Sequence, residues 1–139
     1  MNVVHRALIA VSFGRLGWRL GGTPALELTT VGRRSGEPRS TMLTAPMRVG
    51  DGLVVVASRG GDDRHPAWFL NLRENPEVTV RLEGRAPERR RARVMSDEER
   101  AERWPELIRS HTQYAGYQRK TDRVIPLVVL EPVGDDPGA

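Results

Sequence analysis

The sequence predicts a mainly β domain: an antiparallel sheet curled into a small barrel, with helices flanking or plugging it. Three observations lead there. Short apolar runs follow one another across tight turns marked by glycine, as at Gly50-Asp51-Gly52 and Gly84. The strict strand–helix alternation of a doubly wound nucleotide fold is missing. A chain of 139 residues is one domain with a core of its own, since about 100–150 residues is the commonest domain size.

The elements follow in order, with residues 1–24 forming a helix and linker, 25–132 the barrel domain and 133–139 a loose tail. Val4, Leu8 and Val11, then Arg15 or Leu16, fall at helical spacing beside His5, Arg6 and Arg19. Such a basic amphipathic helix either docks on the domain or lies on an anionic membrane surface. Its longest uncharged run, residues 7–14, is far short of the ~20 residues of a membrane span. A cytoplasmic protein is expected, with peripheral membrane contact open to it through this helix. Gly21-Gly22-Thr23-Pro24 breaks the helix. Residues 25–31 alternate as a strand, with Leu26 and Leu28 on one face and Glu27 and Thr29 on the other. Residues 39–49 read as a second strand and 53–58 as a third, whose continuous Val54-Val55-Val56 implies burial on both faces. Residues 66–73 fit a short helix with Pro66 at its start and Asn75-Pro76 beyond its end. Residues 78–82 and 86–95 form a hairpin. Ser96 and Glu99 make a capping box for a charged helix over 97–110. A short helix carries Tyr114 and Tyr117, and residues 124–130 are the last strand.

Composition excludes several chemistries. There is no cysteine, hence no disulfide, thiolate metal site or cysteine nucleophile. His5, His65 and His111 are far apart and never form a His-x-x-x-His pair, so a metal site has no support. Of 22 basic residues only Lys120 is lysine. That arginine excess suits an anionic partner, and a bias in genome base composition would produce it equally well. A net charge of +4 without an aromatic–basic surface stripe argues against nucleic acid.

Three segments carry candidate chemistry. The turn Gly32-Arg33-Arg34-Ser35-Gly36-Glu37-Pro38-Arg39 offers guanidiniums, a hydroxyl and backbone N–H groups to a phosphate or carboxylates; taken alone it also fits a solvated hairpin. Ala57-Ser58-Arg59-Gly60-Gly61 ends the most apolar strand in small residues, leaving backbone donors beside a cleft. In His65-Pro66-Ala67-Trp68-Phe69-Leu70-Asn71-Leu72, Trp68 and Leu72 share a helix face and Asn71 sits one step round, while His65 reads as a surface side chain. Downstream, Tyr114 and Tyr117 point to one side of a helix, with His111 one turn earlier. The charged segment 118–123 is expected to stay exposed, as is the outer face of 88–93.

Taken together, LELTTVGRRSGEPR at 26–39, VVVASRGGDDRHPAWFLNLRENPEV at 54–78 and YAGYQRKTDRVIPLVVLEP at 114–132 resemble the deazaflavin-dependent nitroreductases of actinobacteria. That family is also known as F420-dependent quinone reductases. The resemblance covers residues 25–132 and implies a split β-barrel of the pyridoxamine-phosphate-oxidase kind. It further implies coenzyme F420, a deazaflavin with a phospholactyl-polyglutamate tail. Carried over, Arg33, Arg34, Ser35, Gly36 and Arg39 would hold the tail. Ala57, Ser58, Arg59 and Gly60 would line the ring and ribityl chain, and Trp68 and Asn71 would complete the pocket. The hydride carrier supplies the chemistry, and the acceptor is a quinone, an enone or a nitroaromatic. Tyr114 would donate to the oxyanion forming on that acceptor, with Ser58 and Tyr117 as further contacts. His111 stands where some relatives carry tyrosine, and Arg34 and Arg59 where many carry lysine. The basic turn alone would also accept FMN, FAD or haem. The alternatives are therefore an FMN-binding split-barrel oxidoreductase and a non-catalytic flavin or deazaflavin carrier.

Overall fold

The computed structural model describes residues 19–20 and 23–133. The expected N-terminal helix and the tail beyond 133 lie outside these residues. Eight strands form one sheet: β1 (Arg19–Leu20), β2 (Thr23–Val31), β3 (Pro38–Thr44), β4 (Met47–Val49), β5 (Gly52–Val56), β6 (Glu77–Leu82), β7 (Glu88–Val94) and β8 (Leu127–Pro132). Among the described residues three α-helices accompany them, α1 (Ala67–Glu74), α2 (Asp97–Ser110) and α3 (Gln113–Arg119), with a 3-10 turn at Arg59–Gly61.

Every pairing is antiparallel. The order runs β2-β6-β7-β8-β5-β4, and both β1 and β3 also pair with β2. Closure follows from one short connection. β3 and β4 lie at opposite ends of the sheet, yet only Ala45 and Pro46 separate them in the chain. Three residue steps span at most about 10 Å, so the sheet must curl until its ends meet. The single strand expected over 39–49 is thus two. Pro46 has no N–H to give a ladder, and the chain changes edge there, with the Ala45 amide donating to the Pro24 carbonyl at 2.8 Å.

Alternation along the inner strands sorts side chains into two apolar layers. On β5 and β8, Leu53, Val55, Val128 and Leu130 face the barrel interior with Leu26, Leu28, Val78 and Val80. Their neighbours Val54, Val56, Leu127 and Val129 face the other way, against Met95, Leu107 and Tyr114. β5 is buried along its whole length, as its valine run predicts. The barrel is plugged by α1, whose Phe69 and Leu72 join the interior cluster. The outer layer is covered by α2 and α3. Ser96 caps α2 by accepting the Glu99 amide at 3.1 Å, and Asp97, Glu98 and Glu99 fill the first turn, where the helix dipole favours acids.

One expectation of exposure is refined and a second corrected. Along 88–93 the outer positions Arg89 and Arg91 are exposed as expected, while Arg90 on the other face is buried and donates to the carbonyls of Asp51 and Leu130 at 3.1 and 2.8 Å. Those carbonyls lie where a barrel end leaves backbone groups needing partners. In the segment 118–123, Thr121 is buried and Arg123 is half-buried. Gln118 fastens that segment by donating to the Arg123 carbonyl at 2.7 Å and accepting the Ile125 amide at 3.0 Å.

Candidate functional site: a cleft with two chambers

Two chambers open beside β3 and meet at Trp68, which lines both. The larger, about 680 Å³, is walled by Ala25, Met42, Leu43, Thr44, Val56, Ser58, Arg59, Gly60, Pro66, Gln113, Tyr114 and Tyr117. The smaller, about 380 Å³, is walled by Thr30, Gly32, Arg33, Arg34, Ser35, Arg39, Ser40, Thr41, Ala67 and Asn71. One is mostly apolar and aromatic. The other is lined by arginine and hydroxyl groups.

The polar chamber is shaped by the β2–β3 turn. Gly36 takes a positive φ of 74° to close it, its amide donating to the Gly32 carbonyl at 2.8 Å. A Cβ at Gly32 would meet Ser35 Oγ at 2.7 Å and the Glu37 carbonyl at 3.1 Å, so the turn closes tightly over this glycine. Asn71, buried on α1, reaches across to hold the turn. Its carboxamide oxygen accepts the Arg33 amide at 3.1 Å and the Arg33 guanidinium at 3.0 Å, and its NH2 donates to Thr30 Oγ1 at 3.1 Å. Arg39 donates to Ser35 Oγ at 3.4 Å. Among the described residues, none of Arg33, Arg34 and Arg39 is paired with a carboxylate. Three guanidiniums with no carboxylate partner among the described residues thus surround one groove, a donor set whose chemistry suits an anion.

In the apolar chamber the phenols of Tyr114 and Tyr117 meet edge to face, ring centroids 5.8 Å apart. Burial pushes the Tyr114 hydroxyl above the usual phenol range, and hydrogen bonding from Thr44 partly offsets this. Tyr114 therefore stays protonated at neutral pH and is a hydrogen-bond donor. The loop after β5 forms the floor: Arg59 has a positive φ of 46° and Gly60 one of 64°.

The structure gathers most of the residues singled out in the sequence and leaves three aside. Ser58, Arg59, Gly60, Trp68, Tyr114 and Tyr117 line the larger chamber; Arg33, Arg34, Ser35, Arg39, Trp68 and Asn71 line the smaller. Gly36 shapes its turn without lining either. Ala57 is buried in the barrel core. His111 ends α2, its ring bonded to Thr23 Oγ1 at 3.0 Å and Ser110 Oγ at 2.9 Å, and does not border the chamber. Sequence reasoning passed over Met42, Leu43, Thr44 and Gln113. Strand alternation marks a residue's face, but not which strand edges a cavity.

A family model described as F420H(2)-dependent quinone reductase matches residues 3–132. An F420H(2)-dependent quinone reductase of Mycobacterium tuberculosis is 37% identical over 133 residues, covering 91% of this chain and 87% of that protein. Among solved structures, an F420-H2 dependent reductase superposes with a TM-score of 0.65 at 38% identity, covering 78% of this chain and 94% of the other. A pyridoxamine 5'-phosphate oxidase-related, FMN-binding protein of Nostoc punctiforme shares the fold at 16% identity, TM-score 0.53, over 95% of this chain and 79% of that one. The curled barrel, the arginine-lined turn and the aromatic chamber thus occur in a chain whose whole barrel domain matches one family: it belongs to the F420H(2)-dependent quinone reductases.

Proposed function

We propose that this protein reduces quinones with F420H2, and that the two-chamber cleft is where it does so. The observation that carries the reading is the junction at Trp68. An aromatic, apolar chamber of about 680 Å³ lies against the same Trp68 as a groove bearing three arginines that have no carboxylate partner among the described residues. Coenzyme F420 has the matching division, a flat deazaflavin ring joined to a tail of phosphate and carboxylates. Arg33, Arg34 and Arg39 would hold the tail, with Asn71 keeping Arg33 in place. Ser58, Arg59 and Gly60 would border the ring. When bound, the reduced deazaflavin supplies a hydride to an electron-poor acceptor.

The chain's own contribution is binding, orientation and charge stabilisation. Met42, Leu43, Val56 and Pro66 give an acceptor ring an apolar, water-poor bed. Tyr114, kept protonated by its burial, is the donor for negative charge arriving on a quinone oxygen. Enones and nitroaromatics place that charge on oxygen too, so the same hydroxyl would serve them.

Titration with F420, FMN and FAD, followed by tryptophan quenching, tests the cofactor; reoxidation of reduced F420 by menadione tests the reaction. Binding of FMN alone would overturn the reading. Tyr114→Phe is expected to lower turnover by about tenfold to a thousandfold, the range for loss of one oxyanion donor, with F420 affinity little changed. Unchanged turnover would remove Tyr114 from the mechanism.

A further inference from the structure

The loop from residue 57 to 65 is held from behind by one side chain. Arg123, in the segment between α3 and β8, sends its guanidinium into the loop's concave back. Nε donates to the Asp62 carbonyl at 2.8 Å, NH2 to the Ser58 carbonyl at 2.8 Å, and NH1 to the Ala57 carbonyl at 3.2 Å. NH1 also lies 3.1 Å from His65 Nδ1. Arginine can only donate, so Nδ1 accepts and the His65 proton sits on Nε2. Arg123 does not line the chamber.

What the chamber receives follows from peptide geometry. In a trans peptide the carbonyl of one residue and the N–H of the next point in opposite directions, and no cis bond occurs among the described residues. With the Ala57 and Ser58 carbonyls turned onto Arg123, the N–H groups of Ser58 and Arg59 point away from it. Neither finds a hydrogen-bond acceptor among the described residues. Both residues line the chamber.

We infer that Arg123 is a positioning residue, with His65 as its neutral partner: by gripping the Ala57 and Ser58 carbonyls it presets the Ser58 and Arg59 amides as a donor pair for a polar edge of the bound ring. The inference rests on the proposed cofactor reading. The cation also polarises the two peptide groups it holds, strengthening the N–H donors on their far side. The grip opposes local strain, because Arg59 is a non-glycine residue at φ 46°, a conformation that persists only where surroundings impose it. It is pH-sensitive as well. Protonated His65 cannot accept from Arg123 and would face two cations, Arg123 and Arg73, with the Phe69 ring at 4.7 Å on its remaining side. Asp62, Asp63 and Arg59 are the charged groups that face Arg123.

The test has a cofactor-free arm and a binding arm. In the unliganded protein, the Gly61 and Asp62 amides, bonded to the Ser58 and Arg59 carbonyls, should exchange faster with deuterium in Arg123→Met, with Arg123→Lys in between. Affinity for the deazaflavin ring lacking its phosphate tail should fall about tenfold or more in Arg123→Met, as misplacement of positioned groups costs, and recover in part in Arg123→Lys. Wild-type affinity should weaken as pH falls below about 6.5, where the His65 imidazole, held below its ordinary value, takes up its proton, and His65→Asn, neutral throughout, should flatten that profile. Unchanged loop exchange, or wild-type affinity in Arg123→Lys together with a flat wild-type pH profile, would overturn the inference. Should the wild-type protein bind no deazaflavin, the functional reading fails, and the exchange arm still decides whether Arg123 holds the loop.

Discussion

Residues 32–39 and residues 57–65 are both arginine- and glycine-containing loops at strand ends, the first with three arginines against one acid and the second with two against two, and they present opposite surfaces to the cleft. The first offers side chains: Arg33, Arg34 and Arg39 are exposed and have no acid partner among the described residues, and the backbone beneath them is closed by its own turn bonds. The second offers backbone. Its arginines, Arg59 and Arg64, lie 4.0 and 3.7 Å from Asp62, and Arg123 turns its carbonyls away from the chamber. Two arginine- and glycine-bearing loops thus yield a charged side-chain fork in one place and a row of backbone amides in the other. The fork suits a tail of phosphate and carboxylates, whose charges it meets at several geometries. Fixed amides suit a rigid ring, where placement matters more than charge.

The largest effect should come from removing the fork. Replacing Arg33, Arg34 and Arg39 together by alanine is expected to weaken F420 binding several hundredfold, since hydrogen bonds to charged groups contribute about 1.5–3 kcal/mol each before solvent screening. Thermal stability should stay near wild type, because these side chains are exposed. A large fall in melting temperature would show that the turn is structural after all.

Two alanine substitutions then separate the loops by their packing. Gly61 has a φ of 89°, and a Cβ there would meet the Tyr117 carbonyl at 2.7 Å. Gly61→Ala should cost about 2–4 kcal/mol of stability, combining a left-handed backbone with a clash against main chain. Gly36 has a φ of 74° but open space around it, so Gly36→Ala should cost only about 1 kcal/mol. Equal costs in denaturant unfolding would remove the contrast.

The smallest effect is on pH. His65 is held below its ordinary value of 6.5 by burial, then by Arg123 and Arg73. The unfolded chain therefore takes up this proton first as pH falls, and the folded state loses stability below about 6.5 until the folded histidine also titrates. His65→Asn should show less of that acid loss in thermal melts. A steeper loss in the variant would contradict the assignment of Nδ1 as acceptor.

Much of this was legible in the residues. The valine run predicted the doubly buried β5, and Ser96 with Glu99 predicted the start of α2. The glycine–arginine turn showed where an arginine-lined groove would lie, because charge and turn chemistry are local properties. What was not legible depends on closure of the barrel. Pro46 gave a local hint that the second strand breaks, but only pairing at both sheet ends shows why. Arg123 sits in a charged run that looks solvated, and its carbonyl partners are recruited from some sixty residues away. His111 resembles a substrate contact by spacing, whereas its two ring nitrogens are committed to Thr23 and Ser110. Long-range backbone acceptors leave no periodic trace in sequence.

The central claim is that ring and tail of one cofactor are held by different loops meeting at Trp68. The most direct measurement is a parallel titration of the wild-type protein and the Arg33, Arg34, Arg39 alanine triple variant. Each is titrated with F420 and with the deazaflavin lacking its tail, read by Trp68 fluorescence with Trp68→Phe as control. The wild type should bind F420 about a hundredfold or more tightly than the tail-less ring, as several charged hydrogen bonds imply. The triple variant should bind both alike, with quenching preserved. Equal affinity of the wild type for the two ligands, or an undiminished preference in the triple variant, would contradict it.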